Sequence, residues 1–403
     1  GPRPGMPLLD GVGNAVAALD INGDGDMDLA IGAPDASFAN SKGLFTQNEA
    51  NTGRVYTLLG GEGAATDWSK LTGDYDLIDL YGDTATLAKR ARDGYIFEGT
   101  EGGGRAGASV AILGAFRGVK NQQDGKADFD DLAIGAPAVN GGAGQGYAVF
   151  GSRTTFDSPA AGSNVFALDP TVDPDDPSAL PMFTLDGQAQ PLDLENPSNQ
   201  GALGYSVAGI GNVDAKSFGT SNGDDFGIGA PRWNVDGVAK SFIATGAPWI
   251  VPGSALDAAD LRSDNGFIIP GDEPVTFDRS SGNRVGTLGD FDGDGYDDVW
   301  LLNNTQTNFP DVELRVVLGA PIFDVDAATD RVLKIADQGV LSAYSVAAGD
   351  FDGDGRSEII SHGSFDDVSD TVYFDVNNRD ANGNLEPVTI DTLRTGFVGS
   401  YVN

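Results

Sequence analysis

Three times in 403 residues the chain runs Asp-x-Asp/Asn-x-Asp-Gly, places a carboxylate at the ninth position and passes straight into an apolar stretch. The first loop is Asp20, Asn22, Asp24, Gly25, Asp26 and Asp28, followed by Leu29-Ala30-Ile31-Gly32-Ala33-Pro34. The second is Asp290, Asp292, Asp294, Gly295, Tyr296 and Asp298; the third is Asp350, Asp352, Asp354, Gly355, Arg356 and Glu358. Positions one, three and five turn short oxygen side chains toward one centre, the glycine permits a sharp turn, and position seven (Asp26, Tyr296, Arg356) offers a carbonyl. Hard oxygen donors in this number suit Ca2+, and the chain predicts about three such sites. A bare Asp-Gly turn is only a solvated turn. Five matched positions repeated three times are more specific than that.

An EF-hand loop opens the same way, but it needs a Glu at position twelve and a helix on each side. Position twelve here is Ile31, Leu301 or Ser361, and the residues after position nine are short apolar runs of strand type. The loop therefore joins two strands.

The run after the loop is itself repeated. Leu132-Ala133-Ile134-Gly135-Ala136-Pro137 nearly duplicates residues 29–34, and Gly227-Ile228-Gly229-Ala230-Pro231 is close to both. A second shared strand precedes each loop, at 14–18, 108–112, 205–209, 284–288 and 344–348. Further strands follow, at 53–59 and 93–98 in the first copy, with counterparts at 146–150, 183–185, 265–269 and 371–374. Five copies of a unit of about four short strands predict an all-β chain, a β-propeller of four-stranded blades forming one domain over 1–403. The count favours five blades, closed by strands from both termini, Asn14–Ala18 beside Thr371–Phe374 and Val388–Ile390. Seven blades would require two degenerate units within the insertions.

Those insertions lie near 60–92 and 157–182, the latter rich in proline and expected to form a long surface loop. The loops of the second and third copies, near 115–131 and 212–225, are eroded. Ala115 stands at position one of the second, and an insertion precedes Asp124, so little or no calcium is expected there. The third keeps Asn212, Asp214 and Asp225 around an interruption at 216–221, which leaves a fourth site open.

These linked motifs, with Gly-Tyr-Ser-Val-Ala at 204–208 and Leu-Ala-Ile-Gly-Ala-Pro at 29–34 and 132–137, resemble the FG-GAP repeats of integrin α-subunit heads and of their bacterial relatives. The resemblance implies a propeller with calcium loops between the first two strands of several blades, on the face opposite the one used for ligands. It implies an extracellular or cell-surface adhesion or recognition module for a protein or glycan ligand, a monomeric domain within a larger protein. Gly1-Pro2 resembles the scar of a cleaved tag, in keeping with a longer native chain.

Composition narrows the alternatives. The net charge of −36, mostly from acids outside the loops, argues against nucleic acid and anionic bilayers as partners. No apolar run is long enough to span a membrane. Without cysteine there is no disulfide framework and no thiolate metal site. The one histidine, His362, lies in a strand-end setting with no triad around it in sequence, and no phosphate-binding fingerprint occurs, so no enzyme is predicted. A polysaccharide-acting enzyme or its accessory domain, and a structural surface-layer module, are the alternatives. Of Trp68, Trp233, Trp249 and Trp300, candidates for sugar stacking, core packing is the expected role, most clearly for Trp300.

Overall fold

The computed structural model describes residues 11–37, 51–60, 94–116, 129–152, 164–172, 180–188, 201–214, 223–231, 238–246, 253–261, 265–274, 280–304, 312–320, 332–334, 342–351, 353, 355–365, 368–374 and 388–389. Asp352, Asp354, Trp68, Trp233, Trp249 and nearly all of the insertion near 60–92 lie outside these residues, as does the side chain of His362.

The described chain is all-β, in five sheets. Each is built on four antiparallel strands. The first holds β1 (Val16–Leu19), β2 (Asp28–Ala33), β3 (Arg54–Leu58) and β4 (Gly94–Gly99) in that order. The second holds β5 (Ser109–Gly114), β6 (Asp131–Ala136), β7 (Gln145–Val149) and, after β8 (Val165–Leu168), β9 (Met182–Asp186). The third holds β10 (Ser206–Gly209), β11 (Phe226–Ala230), β12 (Val238–Ala244) and, after β13 (Ala255–Asp257), β14 (Gly266–Pro274). The fourth runs through β15 (Ser280–Gly289), β16 (Asp298–Asn304), β17 (Val312–Val317) and β18 (Val332–Lys334). The fifth runs through β19 (Ser342–Gly349), β20 (Glu358–Phe365), β21 (Val368–Phe374) and β22 (Val388–Thr389).

Two strands leave their own unit. β8 pairs in parallel with β4, and β13 pairs in parallel with β9, so the segment between the third and fourth strands of one unit widens the sheet before it. The surface loop expected over 157–182 thus contains a strand. Its four residues alternate in burial, with Phe166 and Leu168 inward, a signal too short to stand out among the surrounding prolines. At the other end of the chain β22 pairs with β21, and no sheet among the described residues combines strands from the two termini.

Four apolar cores lie between successive sheets. Val55 and Phe97 of the first meet Val110, Ile134 and Val149 of the second; Phe183 of the second meets Val207, Phe226 and Phe242 of the third. Ile243, Phe267 and Ile269 of the third then meet Val285 and Leu301 of the fourth, and Phe291 and Val316 of the fourth meet Ile359 of the fifth. This explains why the second strand of each unit reads as an unbroken apolar run: β6, clamped on both faces, is buried at every residue. Trp300 packs within the last of these cores, as its place in an apolar run suggested, with its indole over Gly286.

Glycine at the end of the second strand is a seam requirement. A Cβ on Gly32 would lie 2.2 Å from the Gly107 carbonyl oxygen, and one on Gly135 would lie 2.1 Å from that of Gly204. In each pair the carbonyl belongs to the next unit and enters the space a side chain would fill. We expect Gly135→Ala to destabilise the protein by about 1–3 kcal/mol in urea denaturation, the usual cost of overpacking. Gly349→Ala, whose Cβ would meet only the Phe351 ring at 3.6 Å, should leave the midpoint almost unmoved.

Candidate metal centres

Each Asp-rich loop lies between the first two strands of its sheet and is organised by the carboxylate at position one. In the first loop Asp20 Oδ1 accepts from the N–H groups of Gly23 (2.7 Å) and Asp24 (3.1 Å), and Oδ2 accepts from Gly25 (2.9 Å). The second loop repeats this, Asp290 accepting from Gly293 (2.7 Å), Asp294 (3.0 Å) and Gly295 (3.0 Å). In the third, Asp350 accepts from Gly353 at 2.6 Å and Gly355 at 3.0 Å. Positions four and six sit at φ 70° and 91° in the first loop, 80° and 93° in the second and 81° and 92° in the third. Such left-handed pairs favour glycine at both places, so Gly23, Gly293 and Gly353 belong to the motif as much as the glycine at position six.

The turn brings the next acids inward. Asp24 N–H bonds Asn22 Oδ1 at 3.2 Å and Asp26 N–H bonds Asp24 Oδ1 at 2.9 Å, while Asp294 and Tyr296 repeat the steps at 3.1 and 3.0 Å. Asp290, Asp292 and Asp294 each present an oxygen within 4.8 Å of the others. Oxygens about 2.4 Å from one calcium ion can be no farther apart than about 4.8 Å, so these three fit the cation. Their electrostatics agree with the donor chemistry. Burial raises the Asp20 carboxyl above its usual range, and burial together with the charge of Asp294 raises Asp292. A divalent cation would hold such groups ionised. From the fifth sheet, Arg356 lays its guanidinium across Gly293 of the neighbouring loop.

The ninth-position acid stands behind this group as a brace. One oxygen of Asp28 accepts from Ile21 N–H at 3.0 Å and the other from Gly60 N–H, just past β3, at 2.9 Å. Asp225 makes the same fork to Val213 and Gly246 at 2.8 Å each, and Asp298 to Phe291 (2.7 Å) and Gly319 (2.6 Å). Asp131 accepts from Gly151 at 2.9 Å, and Glu358 from Phe351 at 2.8 Å. Burial pushes Asp28 and Asp298 up to about 7 against the pull of their two N–H donors. Asp225 rises well above the carboxylate range through its burial and the charge of Asp214 beside it. Each oxygen keeps a second lone pair, so bracing and coordination are compatible.

Position eight, which the spacing argument passed over, ties each unit to the one before. Asp130 N–H donates to Asp20 O at 2.7 Å while Asp130 Oδ2 accepts from Asp20 N–H at 2.8 Å. Asp224 pairs reciprocally with Ala115 (3.1 and 2.8 Å), and Asp297 with Asn212 (3.0 and 2.7 Å). Ser357, at the fourth seam, donates its N–H to Asp290 O at 3.1 Å. The glycines after the third strand were also passed over. A Cβ on Gly151, Gly246 or Gly319 would lie 2.1 to 2.5 Å from the carbonyl oxygen of Asp130, Asp224 or Asp297.

In comparison with known protein families, residues 12–58, which span the first loop and β1 to β3, match the FG-GAP repeat. One FG-GAP repeat thus coincides with the first three strands of this all-β chain. A search of the curated proteins returns no match.

The brace and the metal can be separated experimentally. Asp131 belongs to the second unit, where position one is Ala115, so its brace should act without calcium. Asp131→Ala, by leaving the buried Gly151 N–H without its acceptor, should cost about 1–3 kcal/mol in urea melts, and by the same amount with calcium or with chelator.

Proposed function

We propose that this chain is a calcium-stabilised, five-bladed propeller that serves as an adhesion or recognition module at the cell surface or outside the cell, binding a protein or glycan. The observation that carries the reading is the triplicate loop, with its left-handed glycine pair and its three carboxylates at calcium spacing in Asp290–Asp294. The five sheets packed in series and the FG-GAP match at 12–58 support the same architecture. FG-GAP repeats occur in integrin-like recognition domains, which favours a binding module over an enzyme.

Calcium supplies a hard divalent charge to a turn that otherwise gathers several desolvated carboxylates. Asp20, Asn22 and Asp24 would hold one ion, Asp290, Asp292 and Asp294 a second, and Asp350, Asp352 and Asp354 a third, each with the carbonyl of position seven and the acid of position nine. Asn212, Asp214 and Asp225 form the candidate fourth site. Extracellular modules bind calcium with dissociation constants of about 10⁻⁴–10⁻³ M, a range that cytosolic calcium would leave empty. That is the basis for the proposed location. No helix among the described residues is long and apolar enough to cross a membrane.

Ligand binding to the native state alone stabilises it by about 2.7 kcal/mol per site at a hundredfold excess over Kd. Calcium should therefore raise Tm and a chelator lower it, and Asp292→Ala should reduce the calcium-dependent part of the shift. An identical melt in calcium and in excess chelator would refute the metal reading.

A further inference from the structure

The loop of the fourth sheet carries more negative charge than that of the first. At positions one, three, five and nine the first has Asp20, Asn22, Asp24 and Asp28, three carboxylates, whereas the fourth has Asp290, Asp292, Asp294 and Asp298, all carboxylates. The two turns are otherwise alike, Asp20 and Asp290 each accepting from the N–H groups of positions four, five and six. The adjoining unit changes in step. Against the loops of the first three sheets it sets a position-eight carboxylate, Asp130, Asp224 or Asp297, on the backbone of position one. Against the fourth it sets Ser357, which keeps the backbone bond to Asp290 O at 3.1 Å but brings no charge. Position seven of the adjoining unit is Phe129, Gly223 or Tyr296 at the first three seams and Arg356 at the fourth. A Cβ on Gly293 would lie 2.8 Å from Arg356 Nε and 3.3 Å from its Cζ, so the guanidinium rests on the residue between Asp292 and Asp294. Where the loop gains an acid, the unit beside it gives up a carboxylate and supplies a cation.

We propose that Arg356 is the counter-charge of the loop at 290–298, offsetting its extra carboxylate Asp292 and holding its calcium affinity below what four acids alone would give. The inference rests on the calcium reading above and adds what sets the strength of one site. The affinity of an oxygen site depends on the charge count of its ligands. A fixed cation at the edge of the loop works against that count in two ways. It repels the arriving ion, and it stabilises the gathered carboxylates while the ion is absent. The loop at 290–298 therefore gives up some affinity and keeps its turn better in low calcium.

Terbium(III), a hard cation that takes oxygen donors, is excited through a nearby tyrosine, and of the three Asp-rich loops only that at 290–298 contains one, Tyr296. Terbium is titrated into the wild type and Arg356→Gln and then displaced with calcium. Arg356→Gln should lower the calcium Kd at this loop by about three- to tenfold, and the terbium Kd by more, because the repulsion scales with the charge of the ion. Equal affinities in the two proteins would overturn the proposal. In chelator at low salt, Arg356→Gln should lower Tm by a few degrees, and by much less in an Asp292→Asn background. An equal loss in both backgrounds would mark a packing role alone and would also overturn it. Failure of the wild type to bind either ion here would refute the metal reading and with it the affinity claim, whereas the melting cycle decides the pairing of Arg356 with Asp292 by itself.

Discussion

A buried carboxylate that accepts backbone N–H groups, two of them in three of the five units, holds the units of this protein together. In the first, third and fourth sheets the ninth-position acid bonds the start of its own loop with one oxygen and the glycine after the third strand with the other. The loop, the second strand and the end of the third strand are thereby fixed to one another. Desolvating a carboxylate is costly, and the rise of Asp28 and Asp298 to about 7 reflects that cost persisting despite two good donors. A bound cation in front of the brace would offset it. The Asp-rich loop and the brace are therefore adjacent parts of one device, with the ninth-position acid present in every unit and the full set of candidate ligands in only three.

Position eight extends the device from one sheet to the next. The residue beside the brace reaches the backbone of position one in the preceding unit, so whatever orders that loop also orders the seam. In the first seam Asp20 is at once the organiser of its loop, a candidate metal ligand and the backbone partner of Asp130. An ion at Asp20 would therefore stiffen the contact between the first and second sheets as well as its own turn. The second seam keeps the same reciprocal bonds at Ala115, so the tie itself does not need a side-chain oxygen at position one.

Much of this was legible in the residues. The loop motif, the Gly-Ala-Pro ending and the upstream strand located the first two strands of all five units, because a short apolar run beside an Asp- and Gly-rich turn is a local signal. The acids at 131 and 225 could likewise be aligned although their loops were eroded. The missing parts are those whose cause is non-local. Asp130 and Asp297 look like further acids in an acidic loop, and only the neighbouring sheet gives them a task. Gly151 and Gly246 look like ordinary strand ends until a carbonyl from position eight is found in the Cβ space. β8 escaped notice because its four residues owe their conformation to β4 of another unit rather than to their own pattern. The candidate ligands at positions one, three and five of the first two loops stand out in sequence for the opposite reason: the geometry of those loops is set within six residues.

The same distinction bears on where the molecule is strongest. Bonds within a loop depend on a short sequence and recur wherever that sequence recurs. Bonds across a seam require two units to match, and they change along the row. Asp130, Asp224 and Asp297 give the first three seams two hydrogen bonds each at position eight. Ser357 carries no carboxylate, and the fourth seam has its backbone bond there. The fourth unit also has Leu302 where the first two have Gly32 and Gly135 against a neighbouring carbonyl, so that close approach is replaced by side-chain packing. Polar, directional contacts thus give way to apolar ones toward the C-terminal end. A seam built on directional bonds fixes the angle between sheets, whereas apolar packing tolerates adjustment.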